Sequence, residues 1–206
     1  MATSDRVNCN SNSTFRDAFR RAAALGVVVL CTQVVFAQGA TGEQRFHLDP
    51  ARSDAKIQLH GNFHTVEGLF ALRHGEIQYD PATGKMSGEI VFDATSGKTG
   101  NDGRDKKMHK DVLESARFPE IAFRPDHAEG TLVAGESTLQ VHGMFSIHGT
   151  DREQTIPVTI RLEGGNWSAK ASFEVPYAKW GMKNPSVLFL RVDGVVGVEF
   201  EAAGTI

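Results

Sequence analysis

The sequence predicts an all-β protein: an eight-stranded antiparallel up-and-down barrel with one short helix between strands 3 and 4. Apolar and polar residues alternate along most of the chain, which is typical of antiparallel strands with one face on a core. Residues 102–124 are the one place where this pattern switches to a charged, helix-like spacing and back. About eight sequential strands favour a closed barrel, because closure removes exposed sheet edges.

Turn residues divide the chain into short segments with a two-residue period. Gly75 predicts a bulge in the second strand, and residues 80–84 and 164–166 predict tight turns. The strand segments are residues 56–60, 68–72 with a continuation to 79, 86–94, 121–123, 138–148, 154–162, 167–175, 187–192 and 195–202.

The helix pattern has recognisable ends. Asp102 is the predicted N-cap, because its carboxylate can accept a hydrogen bond from the open first turn. Asp105 adds negative charge near the same helix end, and Pro119 prevents continuation. The apolar stripe at helical spacing consists of Met108, Val112 and Leu113. We therefore expect this face to cover one end of the barrel.

The charged face of the helix indicates solvent exposure. Lys107 and Asp111 are four residues apart, and so are Lys110 and Glu114. Such pairs contribute only a few tenths of a kcal/mol, about 0.2–0.5 each. We predict two solvent-exposed ion pairs here rather than a catalytic group.

The first 37 residues resemble an export signal. A basic region is followed by a mostly apolar run at residues 22–36, which is short for a membrane span. Val35 and Ala37 are small residues at the positions that a signal peptidase reads. We predict cleavage after Ala37, a short flexible segment at 38–44 and a barrel domain at 45–206. An uncleaved N-terminal anchor is the alternative.

Composition limits the classes of partner. Residues 1–37 carry four Arg and two Asp, so the remaining 169 residues carry a net charge of −5 rather than −3. An acidic domain has no global electrostatic attraction for nucleic acid. Cys9 and Cys31, the only cysteines, both precede residue 38. The predicted periplasmic or secreted domain therefore has no disulfide.

Five stretches, one of them the helix segment, resemble the YceI-like family of exported, lipocalin-like, polyisoprenoid-binding proteins. Their order and spacing carry the resemblance, which spans roughly residues 45–202. The stretches are FHLDP at 46–50, TVEGLF at 65–70, GRD through Pro119 at 103–119, GMFSIHG at 143–149 and WGMKNPS at 180–186. The resemblance implies a barrel that holds a polyisoprenoid or a similar amphiphile.

Apolar side chains at inward-type positions are the candidate ligand contacts. A slim ligand needs few polar contacts in such a cavity, and no cofactor is expected beyond a bound polyisoprenoid or isoprenoid quinone. The candidates are Phe63, Phe70, Leu72, Ile90, Phe92, Met108, Val112, Phe123, Phe145, Ile147, Phe173 and Phe189. Arg104, Lys107 or His109 could meet the polar head of the ligand.

Metal and catalytic sites are not predicted. His60 and His64 have a spacing that suits a helix, but their segment reads as strand and loop. His142 and His148 would lie about 20 Å apart along one strand. We expect solvent-facing histidines, and no nucleophile elbow or phosphate loop is present.

Three functions follow from these patterns. The first is an exported carrier of a long-chain amphiphilic lipid, loaded by an encounter with a membrane surface, as a monomer or homodimer. The second is a structural or stress protein whose barrel is filled by its own side chains. The third, less favoured, is an enzyme that acts on an envelope lipid.

Overall fold

The computed structural model describes residues 42–189 and 191–206. The predicted leader, its cleavage site and residues 38–41 lie outside the described residues, so these interpretations stay predictions. Within the described ranges, no helix combines the length and the hydrophobicity that a membrane crossing requires.

In the described residues, nine antiparallel strands form one closed sheet. From β2 onward, each strand pairs with the next strand in the chain; β1 does not pair with β2. The strands are β1 (Gln44–Leu48), β2 (Asp54–His60), β3 (Thr65–Tyr79), β4 (Met86–Asp93), β5 (Glu120–Glu129), β6 (Gly135–Ile147), β7 (Thr150–Glu163), β8 (Asn166–Val175) and β9 (Val196–Thr205).

The nine strands occupy eight positions in the barrel. β1 pairs with the second half of β3, and β2 pairs with the first half, while both also pair with β9. A 3-10 turn at Pro50–Arg52 separates them, and the Asp49 carboxylate accepts a hydrogen bond from the Ala51 amide at 2.9 Å. β1 and β2 are thus one strand position broken at a proline. The predicted fold class, an eight-stranded up-and-down barrel, is confirmed.

The helix lies between β4 and β5, which are the third and fourth strand positions. An α-helical turn, α1 (Asp102–Lys107), continues into a π-helical segment, Met108–Val112. The predicted N-cap is wrong by one residue. Asn101 is the cap, because its side-chain oxygen accepts a hydrogen bond from the Arg104 amide at 2.9 Å. Asp102 instead begins the first turn.

Two other local predictions are wrong. The described residues of segment 187–192 do not form a strand; Val187 and Val192 are isolated bridge residues, and Val192 pairs with Gly61. The bulge in β3 falls between Leu72 and His74 rather than at Gly75. Gly75 has a packing role instead, since a Cβ there would lie 2.8 Å from a Leu48 methyl group.

The up-and-down order divides the connections between two ends. The connections at 61–64, 94–119, 148–149 and 176–195 share one end, which we call the helix end. The connections at 80–85, 130–134 and 164–165 share the other, which we call the turn end. Leu139, 1% exposed, lies in the core cluster towards the turn end. A second cluster, around Phe145 and Tyr177, lies towards the helix end.

Candidate functional site

The inward faces of the strands enclose one long cavity of about 620 Å³. Every strand contributes apolar side chains to its wall. None of the wall residues described is an Asp or a Glu. Burial raises the pKa of the two wall tyrosines, Tyr79 and Tyr177, so their hydroxyls stay protonated at neutral pH. The side chains that the strands contribute are therefore uncharged, and this part of the cavity suits an apolar chain. The cationic side chains of the wall, Arg104 and Lys107, belong to the helix.

Most of the predicted contact residues lie in the cavity wall. Those that line it are Phe70, Ile90, Phe92, Met108, Val112, Phe123, Phe145, Ile147 and Phe173. Leu72 is buried in the core cluster towards the turn end, outside the cavity wall. The structure thus brings nine of the twelve predicted residues around one space, and their contact with a ligand stays a prediction.

The inward positions predicted for Phe63 and Phe189 are wrong. Their exposed fractions are 70% and 83%. Phe63 lies in the turn between β2 and β3, and Phe189 lies in the loop between β8 and β9. Neither residue is in a paired strand, so the alternation of inward and outward side chains does not apply to them.

Small wall residues are the part of the site that the sequence analysis missed. Ala55, Ala169 and Ala171 line the cavity and are each at most 8% exposed. Their short side chains leave the space that larger residues would fill. The available signal was the inward face of β8, where two alanines lie between Trp167 and Phe173.

The cavity opens at the helix end. His64, Asn101 and Val187 line it and are also exposed to solvent. They belong to three different connections at this end. The turn at 61–64, the start of α1 and the loop between β8 and β9 therefore form the rim of the opening.

Two cations lie on the rim. The Arg104 guanidinium donates hydrogen bonds to the Thr99 hydroxyl at 2.7 Å and to the Thr99 carbonyl at 2.6 Å. Lys107 Nζ donates to the Pro185 carbonyl at 3.0 Å, and both side chains line the cavity. The predicted pairing of Lys107 with Asp111 is therefore wrong. The oxygens that accept these hydrogen bonds from Arg104 and Lys107 are neutral. These contacts therefore do not neutralise the two positive charges.

The other charged residues of the helix also differ from the prediction. Glu114 lies 3.7 Å from Arg117 and 3.3 Å from His148, rather than pairing with Lys110. His109 contacts the Gly97 carbonyl at 2.8 Å and the Ser115 hydroxyl at 3.0 Å. It fastens the π-helical segment to the preceding loop and does not line the cavity. The expectation that every histidine faces solvent is wrong for His109.

The helix is fixed over the barrel by its first turn. The Asp105 carboxylate accepts hydrogen bonds from the Thr99 amide, at 2.9 Å, and from the Thr99 hydroxyl. The hydroxyl contact holds the pKa of Asp105 below its usual value. Met108 and Val112 then face the cavity, and a Cβ on Gly97 would lie 2.9 Å from the Met108 methyl group. The apolar stripe thus closes part of the helix end.

An exposed apolar patch adjoins the rim. It consists of Phe63, Val187, Leu188 and Phe189, and Leu188 is 91% exposed. Asn62 joins its two loops: its side-chain amide donates to the Phe189 carbonyl at 2.9 Å, and its oxygen accepts from the Arg191 amide at 3.2 Å. We call these four residues the rim patch.

The fold and the site define a closed antiparallel barrel with an apolar internal cavity open at one end. The chain belongs to the YceI-like domain family, whose profile matches residues 46–203. No curated protein matches the sequence.

Solved structures with the same fold extend the comparison. BcnA of Burkholderia cenocepacia is similar with a TM-score of 0.63 and 19% identity, over 77% of this chain and 99% of BcnA. A polyisoprenoid-binding domain from Saccharophagus degradans, implicated in plant cell wall breakdown, gives a TM-score of 0.60 and 16% identity, over 78% and 97% of the two chains. At these identities the likeness shows the shared fold.

Proposed function

We propose that this protein is a lipid carrier that holds a polyisoprenoid, an isoprenoid quinone or a similar long-chain amphiphile inside its barrel. The observation that carries the proposal is the continuous apolar cavity of about 620 Å³. The second function considered from the sequence, a structural or stress protein, has a barrel filled by its own side chains, which would not leave this cavity. Membership of the YceI-like family and the similarity to a polyisoprenoid-binding domain support the same function.

Apolar contact is sufficient to retain such a ligand. Burial of apolar surface contributes about 25 cal/mol per Å², so about 400 Å² of buried chain would contribute about 10 kcal/mol before the costs of association. The polar head would stay at the rim, near Arg104 and Lys107. The proposal assigns no chemical reaction to the barrel.

The compartment follows from the proposed leader. A basic segment, an apolar run and a small-residue cleavage motif support export to the periplasm or the exterior. In that compartment a carrier would move, store or protect lipids of the cell envelope. The domain after residue 37 contains no cysteine, so its folding would not depend on oxidation.

Chain length tests the proposed function. We expect geranylgeraniol to displace a fluorescent apolar probe from the delipidated protein at far lower concentration than geraniol, because the longer chain buries more surface. A fluorescence titration measures both midpoints. Equal midpoints for the two alcohols, or failure of the probe to bind, would argue for a barrel without a ligand.

The rim patch supports loading from a membrane, and we propose an anionic bilayer as its partner. The patch is continuous with the cavity opening, because Val187 belongs to both. Lys183 and Arg191 flank it in the chain and are exposed. Aromatic insertion and attraction to anionic lipid would act together at this surface. A lipid could then enter the cavity without crossing water.

Substitution of the two aromatic residues tests this encounter. We expect Phe63→Ser with Phe189→Ser to abolish flotation of the protein with vesicles of phosphatidylcholine and phosphatidylglycerol. Each lost Phe removes about 1.5–3 kcal/mol of possible burial. Probe binding in the cavity should be unchanged, which separates docking from ligand binding.

Val133→Ser is the matched control for docking. Val133 is 49% exposed, but it lies in a connection at the turn end. We expect this variant to float like the wild type. Flotation of the double variant at wild-type level, or absence of flotation by the wild type, would disprove membrane docking through the rim patch.

A further inference from the structure

Three potential metal ligands meet on the outer wall of the barrel, away from the cavity. His142 Nδ1 lies 2.8 Å and 3.0 Å from the two Asp126 carboxylate oxygens. His127 Nδ1 lies 2.5 Å from Asp126 Oδ1. One ligand atom from each residue lies within 4.8 Å of the other two. We call these residues the outer His-Asp cluster.

A β-bulge creates the cluster. The register of β5 with β6 shifts between Pro125 and His127, so Asp126 is an extra residue in β5. Without the bulge, Asp126 and His127 would point to opposite faces of the sheet. With it, both are exposed between the buried Pro125 and Ala128. His142 is directly opposite His127 in β6 and faces the same side.

The close approach of the two strands is built into β6. Gly143 follows His142 and pairs with Pro125. A Cβ on Gly143 would lie 2.4 Å from the Arg124 carbonyl oxygen and 2.7 Å from Pro125 Cα. Only glycine permits this spacing, which keeps β5 and β6 together beside the bulge.

The three side chains of the cluster contact one another. The two imidazole rings stack, with centroids 4.7 Å apart and an interplanar angle of 25°. The His142 side chain is 27% exposed, whereas those of His127 and Asp126 are 48% and 60% exposed. Both Nδ1 atoms face one carboxylate.

We propose that the outer His-Asp cluster binds a divalent transition-metal ion, with two imidazole nitrogens and one carboxylate oxygen as protein ligands. Zinc and copper(II) accept this donor set. Ligands about 2.0–2.2 Å from zinc in a tetrahedron lie about 3.3 Å from one another. The observed nitrogen–oxygen distances of 2.5–3.0 Å would need to open by about half an ångström. Water would complete the coordination of the ion.

The cluster is not visible in the sequence, because the spacing of histidines relates only positions along a single strand. His127 and His142 are neighbours across two strands, and the bulge adds Asp126 to the same face. Neither the register nor the bulge could be derived from the spacing of histidines alone. The proposed site is separate from the lipid cavity, since none of the three residues lines it.

Isothermal titration with zinc sulfate tests the proposal, followed by Asp126→Asn, His127→Gln and His142→Gln. We expect the wild type to bind one equivalent of zinc. Each substitution should lower the zinc affinity at least about tenfold, on the scale of effects seen when the surroundings of a metal are altered. His74→Gln is the matched control, because His74 contacts a single carboxylate, Glu89, at 3.3 Å. This variant should bind zinc like the wild type.

Copper(II) electron paramagnetic resonance provides a readout that does not depend on the folding of variants. We expect the wild type with one equivalent of copper sulfate to show coupling to two imidazole nitrogens. A spectrum without imidazole coupling, or zinc binding that is equal in the wild type and in His142→Gln, would overturn the proposal and leave only a hydrogen-bonded His-Asp cluster.

Discussion

Ala171→Trp should lose most of the bound lipid while the barrel stays folded. Ala171 is 8% exposed and lines the cavity from the middle of β8. An indole there would occupy space that the proposed lipid uses. Displacing about 100 Å² of lipid contact costs about 2.5 kcal/mol, which is more than tenfold in affinity. Mass spectrometry of organic extracts measures the lipid retained per protein.

The unfolding free energy of Ala171→Trp distinguishes a hollow barrel from one filled by its side chains. Overpacking a filled core costs about 1–3 kcal/mol, whereas an indole in an empty cavity should cost less. Ser172→Trp is the matched control, because Ser172 is the next residue of β8 and is exposed. If Ala171→Trp retains lipid like Ser172→Trp but is strongly destabilised, the carrier account fails.

Leu139→Ala should have the opposite pattern: a large loss of stability with lipid binding retained. Leu139 is 1% exposed, belongs to the core cluster towards the turn end and also lines the cavity there. Its truncation removes packing and enlarges the cavity without blocking it, which costs about 2–5 kcal/mol of unfolding free energy. Urea unfolding of the delipidated protein measures this loss.

Leu69→Ala is the matched control for Leu139→Ala, because it makes the same side-chain change at an exposed position. Leu69 is 45% exposed, and its backbone bonds with Lys98 do not involve the side chain. We expect an unfolding free energy within about 0.5 kcal/mol of the wild type. Similar losses in the two variants would contradict the assignment of Leu139 to the packed end of the barrel.

The architecture could be predicted because the period of the sequence matches the structure over long segments. β6 alternates buried and more exposed residues over most of its length, from Ser137 to Ile147. The helix was recognisable as the one interruption of that period. The break between β1 and β2 was missed, because Pro50 ends one segment without indicating that the next continues the same barrel position.

Inward-facing wall residues were predicted correctly in paired strands. The prediction was wrong for residues in loops, where strand alternation does not apply. Phe145 and Phe173 are on inward faces that alternation identifies. Phe189 also follows an apolar run, but it lies in a loop that meets the β2 end through an isolated bridge at Val192, and its side chain is exposed. The contact of this loop with Asn62 spans more than 120 residues and leaves no local pattern in the sequence.

Native mass spectrometry of the protein, purified without denaturant or detergent, tests the central claim most directly. The carrier account predicts a population that is heavier than the polypeptide by one discrete amphiphile, which organic solvent releases and Ala171→Trp lacks. A spectrum of the bare polypeptide alone, unchanged after incubation with a long-chain polyprenol, would contradict the account.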